Sequence, residues 1–187
     1  RNILGYGLFL PLTLAVIAAQ KLIMGPVFND RKTIPDLIYK SAVSLLGTRY
    51  EFNKASAPLV TDKPALFVSN HLSRTDFGVL PYLPDAAPMM NAKFFKMGGG
   101  LGPVIQFGAD AFGVIGTSQS QEDKQNNLDA MSAAFSSGRN GFMCAEGVQT
   151  DGKRLVRYSK GTAEIFYDAA GQNGSVLADV AVQPIVL

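Results

Sequence analysis

The sequence predicts an α/β domain with a mostly parallel sheet flanked by helices, preceded by N-terminal membrane-associated helices. Three observations carry this reading. Ala65-Leu66-Phe67-Val68 is a short continuous apolar run, as expected for a buried strand, and further apolar strands are read at Phe142-Met143-Cys144-Ala145 and from Val180 to Ile185. Amphipathic helical patterns lie between them, and this alternation indicates parallel pairing with crossover helices. Residues 2–20 hold no charged side chain and are flanked by Arg1 and Lys21.

Taken in order, the N-terminal stretch is barely long enough for a spanning helix, which needs ~20 predominantly apolar residues. Pro11 falls in its middle and should kink it. A helix embedded in or dipping into a membrane is the favoured reading; a signal peptide and a buried core helix compete with it. The next pattern, residues 34–46, places Ile34, Leu37, Ile38, Leu45 and Leu46 near one helical face, with Lys40 and Ser44 off it. Such a helix lies on a bilayer surface or packs on the domain. Residues 1–46 are therefore assigned to the membrane-associated part and residues 47–187 to one domain. The first strand, residues 65–68, is closed by Ser69-Asn70. Residues 80–88 contain Pro81, Pro84 and Pro88 and read as a loop. Gly98 to Pro103 is another break, and Phe112 to Ile115 suggests a strand. Ser120-x-x-Asp123 resembles a capping box opening a helix, with Leu128, Met131 and Phe135 on one face and Gly138 just past the end. A strand at 142–145, a helix at 161–170 and a strand at 180–185 follow. The chain begins at Arg1 and stops at Leu187 within an apolar run, so both ends read as cut and the last strand as unfinished.

Composition narrows the function. Lys and Arg number 17 against 15 Asp and Glu, and a formal charge of +2 gives no clustered basic face for nucleic acid. Hydrophobic residues make up 47% and charged ones 17%, below the roughly 25% charged of ordinary soluble domains. The surplus apolar surface needs a large core or lipid. Cys144 is the single cysteine, which excludes an internal disulfide. One His and one Cys also cannot build a zinc site of the usual His/Cys type, so no metal is expected.

In open parallel sheets, ligands bind outside the carboxyl ends of the strands. Two polar clusters fall there: residues 70–76 after the first strand, and residues 146–153 after the strand ending at Ala145. The first contains the only histidine, His71, with Asp76 five positions on. An imidazole suits a general base near neutral pH, and a carboxylate on its far nitrogen fixes the tautomer. On a regular helix five residues turn ~500°, leaving the two side chains ~140° apart. They meet only if His71 lies in the loop and Asp76 in the first helical turn, with Ser73 or Thr75 as possible N-caps. Spacing alone does not separate this pair from a loop histidine with a carboxylate nearby.

The whole constellation is more specific. Asn70-His71-x-Ser73-x-x-Asp76 after an apolar strand, Glu146-Gly147 after a later one, and Val182-Gln183-Pro184-Ile185 near the end resemble the glycerolipid acyltransferase family. That is the family of 1-acylglycerol-3-phosphate and lysophospholipid acyltransferases. The resemblance covers roughly residues 64–187, in the family's block order. Val114-Ile115 resembles the second block. Cys144-Ala145-Glu146-Gly147 stands where the family usually has Phe-Pro-Glu-Gly, and Asp151-Gly152-Lys153 with Lys160-Gly161 follows its course. The resemblance implies direct transfer: His71, oriented by Asp76, deprotonates a hydroxyl of a lysophospholipid acceptor. The oxygen then attacks the thioester of acyl-CoA or acyl carrier protein, which is a co-substrate rather than a cofactor. It further implies substrate-binding roles for Asn70, Ser73, Glu146 and Gly147, association with a bilayer, and an active site on its cytoplasmic face.

The sequence departs from the family in one respect. Members that make phosphatidic acid carry an Arg at the end of the second block and another two residues after Glu-Gly; here Thr117 or Ser118, and Gln149, stand there. Arg suits phosphate through its bidentate fork. Either Lys93, Lys96, Arg154 or Arg157 replaces it, or the acceptor is not lysophosphatidic acid. Competing readings remain. Gly147-x-x-x-x-Gly152-Lys153 nearly matches a phosphate-binding loop, but Arg154 follows where Ser or Thr is required. No Gly-x-Ser-x-Gly elbow supports a serine esterase. Glu146 is alternatively a structural carboxylate capping the next helix. Met89, Met90, Met97, Phe94 and Phe95 line an acyl groove or belong to the core. A non-catalytic, lipid-binding member of the same fold is the alternative function.

Overall fold

The computed structural model describes residues 57–73, 76–91, 113–117, 121–153 and 180–187, together with Ala109 and scattered positions between 33 and 53. Among the described residues five strands form one sheet: β1 (Ala65–Ser69), β2 (Ala86–Asn91), β3 (Ile115–Thr117), β4 (Asn140–Cys144) and β5 (Ala181–Ile185), in the order β3-β2-β4-β1-β5. Every pairing is parallel, as the alternating pattern requires.

Side chains alternate across the sheet with the period of two that strands impose. From β1, Ala65 and Phe67 face one side, joined by Phe142 of β4; Leu66 faces the other with Met143. The first face is covered by a 3-10 helix, Asp76–Tyr82, and its following turn, through Val79, Leu80 and Leu83. Phe77 meets Phe142 there edge-on, with centroids 5.9 Å apart. The second face is covered by α1 (Gln121–Ser136), which inserts Met131 and Phe135 against Leu66, Ala87 and Ile115. Met89 belongs to this cluster and is buried, which makes it core rather than groove lining. α1 ends as its glycine predicts. Gly138 takes φ 77°, its N–H donates to the Phe135 carbonyl and the Arg139 N–H donates to Ala134. This is the paired bonding of a left-handed C-terminal cap, a conformation that costs glycine little.

The proline-rich stretch is not a loop. Residues 76–82 form the 3-10 helix with Pro81 inside it, and Pro88 lies within β2. Pro88 is tolerated because the ladder changes hands there. β2 pairs with β4 through Ala86 to Pro88 and with β3 only from Met89 onward, so the missing N–H falls at the junction. Pro184 lies in β5, an edge strand of the described sheet paired only with β1, where a missing donor is least costly. Strand β3 begins at Ile115, the residue at which the sequence reading ended it.

Side-chain amides fasten the strand ends. Asn140 at the start of β4 accepts from the Ala65 N–H at 2.7 Å and donates to the Pro84 carbonyl. Gln183 of β5 accepts from the Val60 N–H at 2.9 Å and donates to Pro58 at 3.0 Å. This gives the Gln of the Gln-Pro-Ile block a fastening role.

The N-terminal apolar stretch, the 98–103 break and the 161–170 helix lie outside the described residues. Among the described residues no helix is long and apolar enough to cross a membrane. Thr33, Asp36, Leu37, Lys40, Ser41 and Ser44 are helical. Leu37 is exposed, while the Lys40 ammonium lies 5.6 Å from the ring centroid of Tyr82. The face bearing Lys40 therefore meets the domain at the end of the 3-10 helix.

Candidate active site

Strands β1 and β4 are neighbours with Ser69 opposite Cys144, so the loops that follow them leave the same sheet edge together. The ladder continues one step through the Ala145 N–H, which donates to Ser69 at 3.0 Å. His71 and Glu146 are thus brought side by side although 75 positions apart.

The His71–Asp76 pair forms as the turn argument requires. His71 lies in the loop and Asp76 is the first residue of the 3-10 helix. The Asp76 N–H bonds back to the Ser73 carbonyl at 3.4 Å, closing the turn between them. His71 Nδ1 is 2.8 Å from Asp76 Oδ2. The carboxylate, 3% exposed, also accepts from the Leu72 N–H at 2.7 Å, from the Ser73 N–H at 3.0 and 3.1 Å, and from the Ser73 hydroxyl at 3.1 Å. All these partners donate, so Asp76 acts as an acceptor throughout. Nδ1 then carries the ring proton, and Nε2 is left with a basic lone pair.

The other expected site residues are present, in roles the motif does not reveal. Ser73 holds Asp76 through its N–H and its hydroxyl. Asn70 exchanges two bonds with the main chain of Leu187, donating to its carbonyl at 3.2 Å and accepting from its N–H at 2.8 Å. It ties the loop to the end of β5. Glu146, 5% exposed, accepts from the His71 N–H at 2.9 Å and from the Thr150 hydroxyl at 3.3 Å. Gly147 takes φ 66° and donates its N–H to the Cys144 carbonyl at 3.2 Å. This tight turn suits glycine and folds the loop back beside Glu146. Thr150 was missed by sequence reasoning as a site residue. Its one sequence signal is a hydroxyl four positions after the Glu, which fits a return turn.

The near-match to a phosphate-binding loop does not form a cradle. The Gly152 N–H donates to Thr150 Oγ1 at 3.4 Å and the Lys153 N–H to Asp151 at 3.1 Å, so the loop's own side chains use these donors. Gln149, at the second of the expected arginine positions, is exposed. Thr117 ends β3. Arg74, Ser118 and the cations at 93, 96, 154 and 157 lie outside the described residues.

Cys144 was not expected here. Its sulfur lies 3.5 Å from the Ser69 hydroxyl, and donor atoms of His71, Asp76 and Cys144 all fall within 4.8 Å of one another. Composition alone does not anticipate this N, O, S grouping. Its chemistry favours a hydrogen-bonded pair beside a thiol over a metal centre. The Asp76 oxygens are occupied by N–H and O–H donors. Burial, with smaller contributions from the Asp76 and Glu146 carboxylates, pushes the thiol from 9.0 up to about 11 against the opposing Ser69 bond. The thiolate is the reactive form. Alkylation of Cys144 by iodoacetamide at pH 8 should therefore run about a hundredfold slower than that of an ordinary thiol, and should accelerate only as the pH rises toward 11. Modification at the rate of a free thiol contradicts a half-buried, protonated Cys144.

No curated protein and no solved structure gives a match. A family model described as Acyltransferase matches residues 50–187. That span takes in the five described strands, the loop that builds the His71–Asp76 pair and the loop that carries Glu146, and the chain belongs to the acyltransferase family that its ordered blocks resemble.

Proposed function

We propose that the protein moves a fatty acyl group from an acyl thioester, acyl-CoA or acyl carrier protein, to a hydroxyl of a lysoglycerolipid, with His71 as general base. The observation that carries this reading is the 2.8 Å bond between His71 Nδ1 and the buried Asp76 carboxylate at the carboxyl edge of the sheet. With Nδ1 committed to Asp76, Nε2 takes the proton of the acceptor hydroxyl as its oxygen bonds to the thioester carbon. The C–S bond then breaks, and the departing thiolate takes the proton back from the imidazolium. The ester and the free thiol are released with no acyl-enzyme. Asp76 stabilises the imidazolium while it lasts.

The acceptor is a lysophospholipid, either 1-acylglycerol-3-phosphate or one whose headgroup does not call for an arginine two residues after Glu146-Gly147. Gln149 favours the second choice, being uncharged and exposed. The bilayer supplies the acceptor, and we place the active site at its cytoplasmic face.

The test is an assay with acyl-CoA and with acylated carrier protein against lysophosphatidic acid, lysophosphatidylcholine, lysophosphatidylethanolamine and lysophosphatidylglycerol, following thiol release and ester formation together. At least one acceptor should be esterified with stoichiometric thiol release. Vesicle binding with no esterification for any pair would favour the non-catalytic, lipid-binding reading instead, for which the altered third block at Cys144 is the supporting observation.

A further inference from the structure

We propose that Glu146 and Thr150 form a clamp on the main chain of His71 and are positioning residues for the transfer, not ligands of the acceptor. The inference rests on the reading of His71 as the base. His71 lies in a loop, where no helix or sheet ladder holds its peptide groups, yet both are bound. Its N–H donates to Glu146 Oε2 at 2.9 Å. Its carbonyl accepts the Thr150 N–H at 2.7 Å and faces the Thr150 hydroxyl at 3.3 Å. The same hydroxyl lies 3.3 Å from Glu146 Oε2, so its single proton is shared between the two oxygens and links both halves of the clamp.

Burial of the Glu146 carboxylate supports this role. A charge removed from water is retained at a cost unless donors meet it. Here the donors are the His71 amide and the Thr150 hydroxyl, both internal to the protein. A carboxylate used in this way is a poor candidate for contacting a substrate. The imidazole then hangs from a Cα whose flanking peptide groups are both fixed, while Asp76 holds its ring. General-base catalysis depends on such fixation: a displacement of about 1 Å costs about a hundredfold in rate.

Steady-state kinetics of Glu146→Ala, Glu146→Gln, Thr150→Val and Thr150→Ser, with thermal midpoints, test the clamp. Glu146→Ala strands the His71 N–H, and Thr150→Val removes the shared hydroxyl. We expect kcat to fall roughly 30- to 100-fold in the first and about tenfold in the second, with KM for acceptor and donor within about threefold of wild type. Glu146→Gln keeps a carbonyl acceptor and Thr150→Ser keeps the hydroxyl, so each should recover most of the lost kcat. A tenfold or larger rise in acceptor KM with kcat nearly unchanged would make Glu146 an acceptor ligand and overturn the clamp. So would wild-type kcat in both Glu146→Ala and Thr150→Val. If Glu146→Ala does not fold, the split between Thr150→Val and Thr150→Ser decides alone: recovery by Ser supports the clamp and equal rates for the two refute it. Failure of the underlying reading looks different, because His71→Ala would then retain turnover whatever the clamp variants do.

Discussion

His71→Ala is expected to lose acyl transfer almost completely while leaving the protein folded. A positioned general base contributes typically 10²–10⁴-fold, so kcat should drop by about three orders of magnitude in an assay of thiol release. Stability should change little. The His71 side chain is 21% exposed. Asp76, its partner, keeps the Leu72 and Ser73 donors when the ring is gone, and no buried acceptor is left empty. The main-chain bonds of His71 to Glu146 and Thr150 do not use the imidazole and survive the substitution. The thermal midpoint should therefore lie within about 2 °C of wild type, a shift worth at most about 1 kcal/mol for a chain of this size. Turnover above about a tenth of wild type would sink the general-base mechanism.

How much of this was legible in the sequence follows from the separation of the groups involved. Strands β1 and β4 carry apolar runs buried in a parallel sheet, and such runs announce themselves; β5 is a half-exposed edge strand whose run is broken by Gln183. The Gly138 cap and the α1 face bearing Met131 and Phe135 are local patterns and were equally plain. The His71–Asp76 pair spans five positions, so turn geometry alone decides whether it can form. The partners of Asn70 and Glu146 are another matter. Leu187 lies 117 positions from Asn70, and His71 lies 75 from Glu146. These contacts exist because β5 and β4 flank β1, and motif spacing carries no record of strand order. The hydrogen bonds of Asn70 and Glu146 to Leu187 and His71 could for that reason not be read from the motif. Residues 80–88 failed for a different cause. Proline was read as a breaker, although a 3-10 helix admits Pro81 and a ladder that changes partners admits Pro88.

Asp76→Asn should behave differently from His71→Ala, and the contrast isolates what the carboxylate does. A sequence reading that sees only an orienting partner for His71 expects a large rate loss with intact folding. The hydrogen bonds predict otherwise. Oδ2 accepts from His71 Nδ1, the Leu72 N–H and the Ser73 N–H, and Oδ1 from the Ser73 N–H and hydroxyl. Asparagine offers one oxygen. With its oxygen at the Oδ2 position its NH₂ is forced against the Ser73 N–H, and with the amide turned the Leu72 N–H loses its acceptor. Each such loss costs about 1–3 kcal/mol, more where the lost acceptor was charged. We expect about 2–4 kcal/mol of destabilisation, or a fall of roughly 5–15 °C in the thermal midpoint. Turnover should fall by about 10³–10⁴-fold, because an Asn amide presented to Nδ1 favours the tautomer with the proton on Nε2. Melting curves and kinetics on the same preparation separate the two effects. Since the stability loss comes from the Leu72 and Ser73 donors, the double variant His71→Ala/Asp76→Asn should melt close to Asp76→Asn alone. A single Asp76→Asn variant that melts with the wild type would refute the structural half of this account, and near-wild-type turnover would refute the catalytic half.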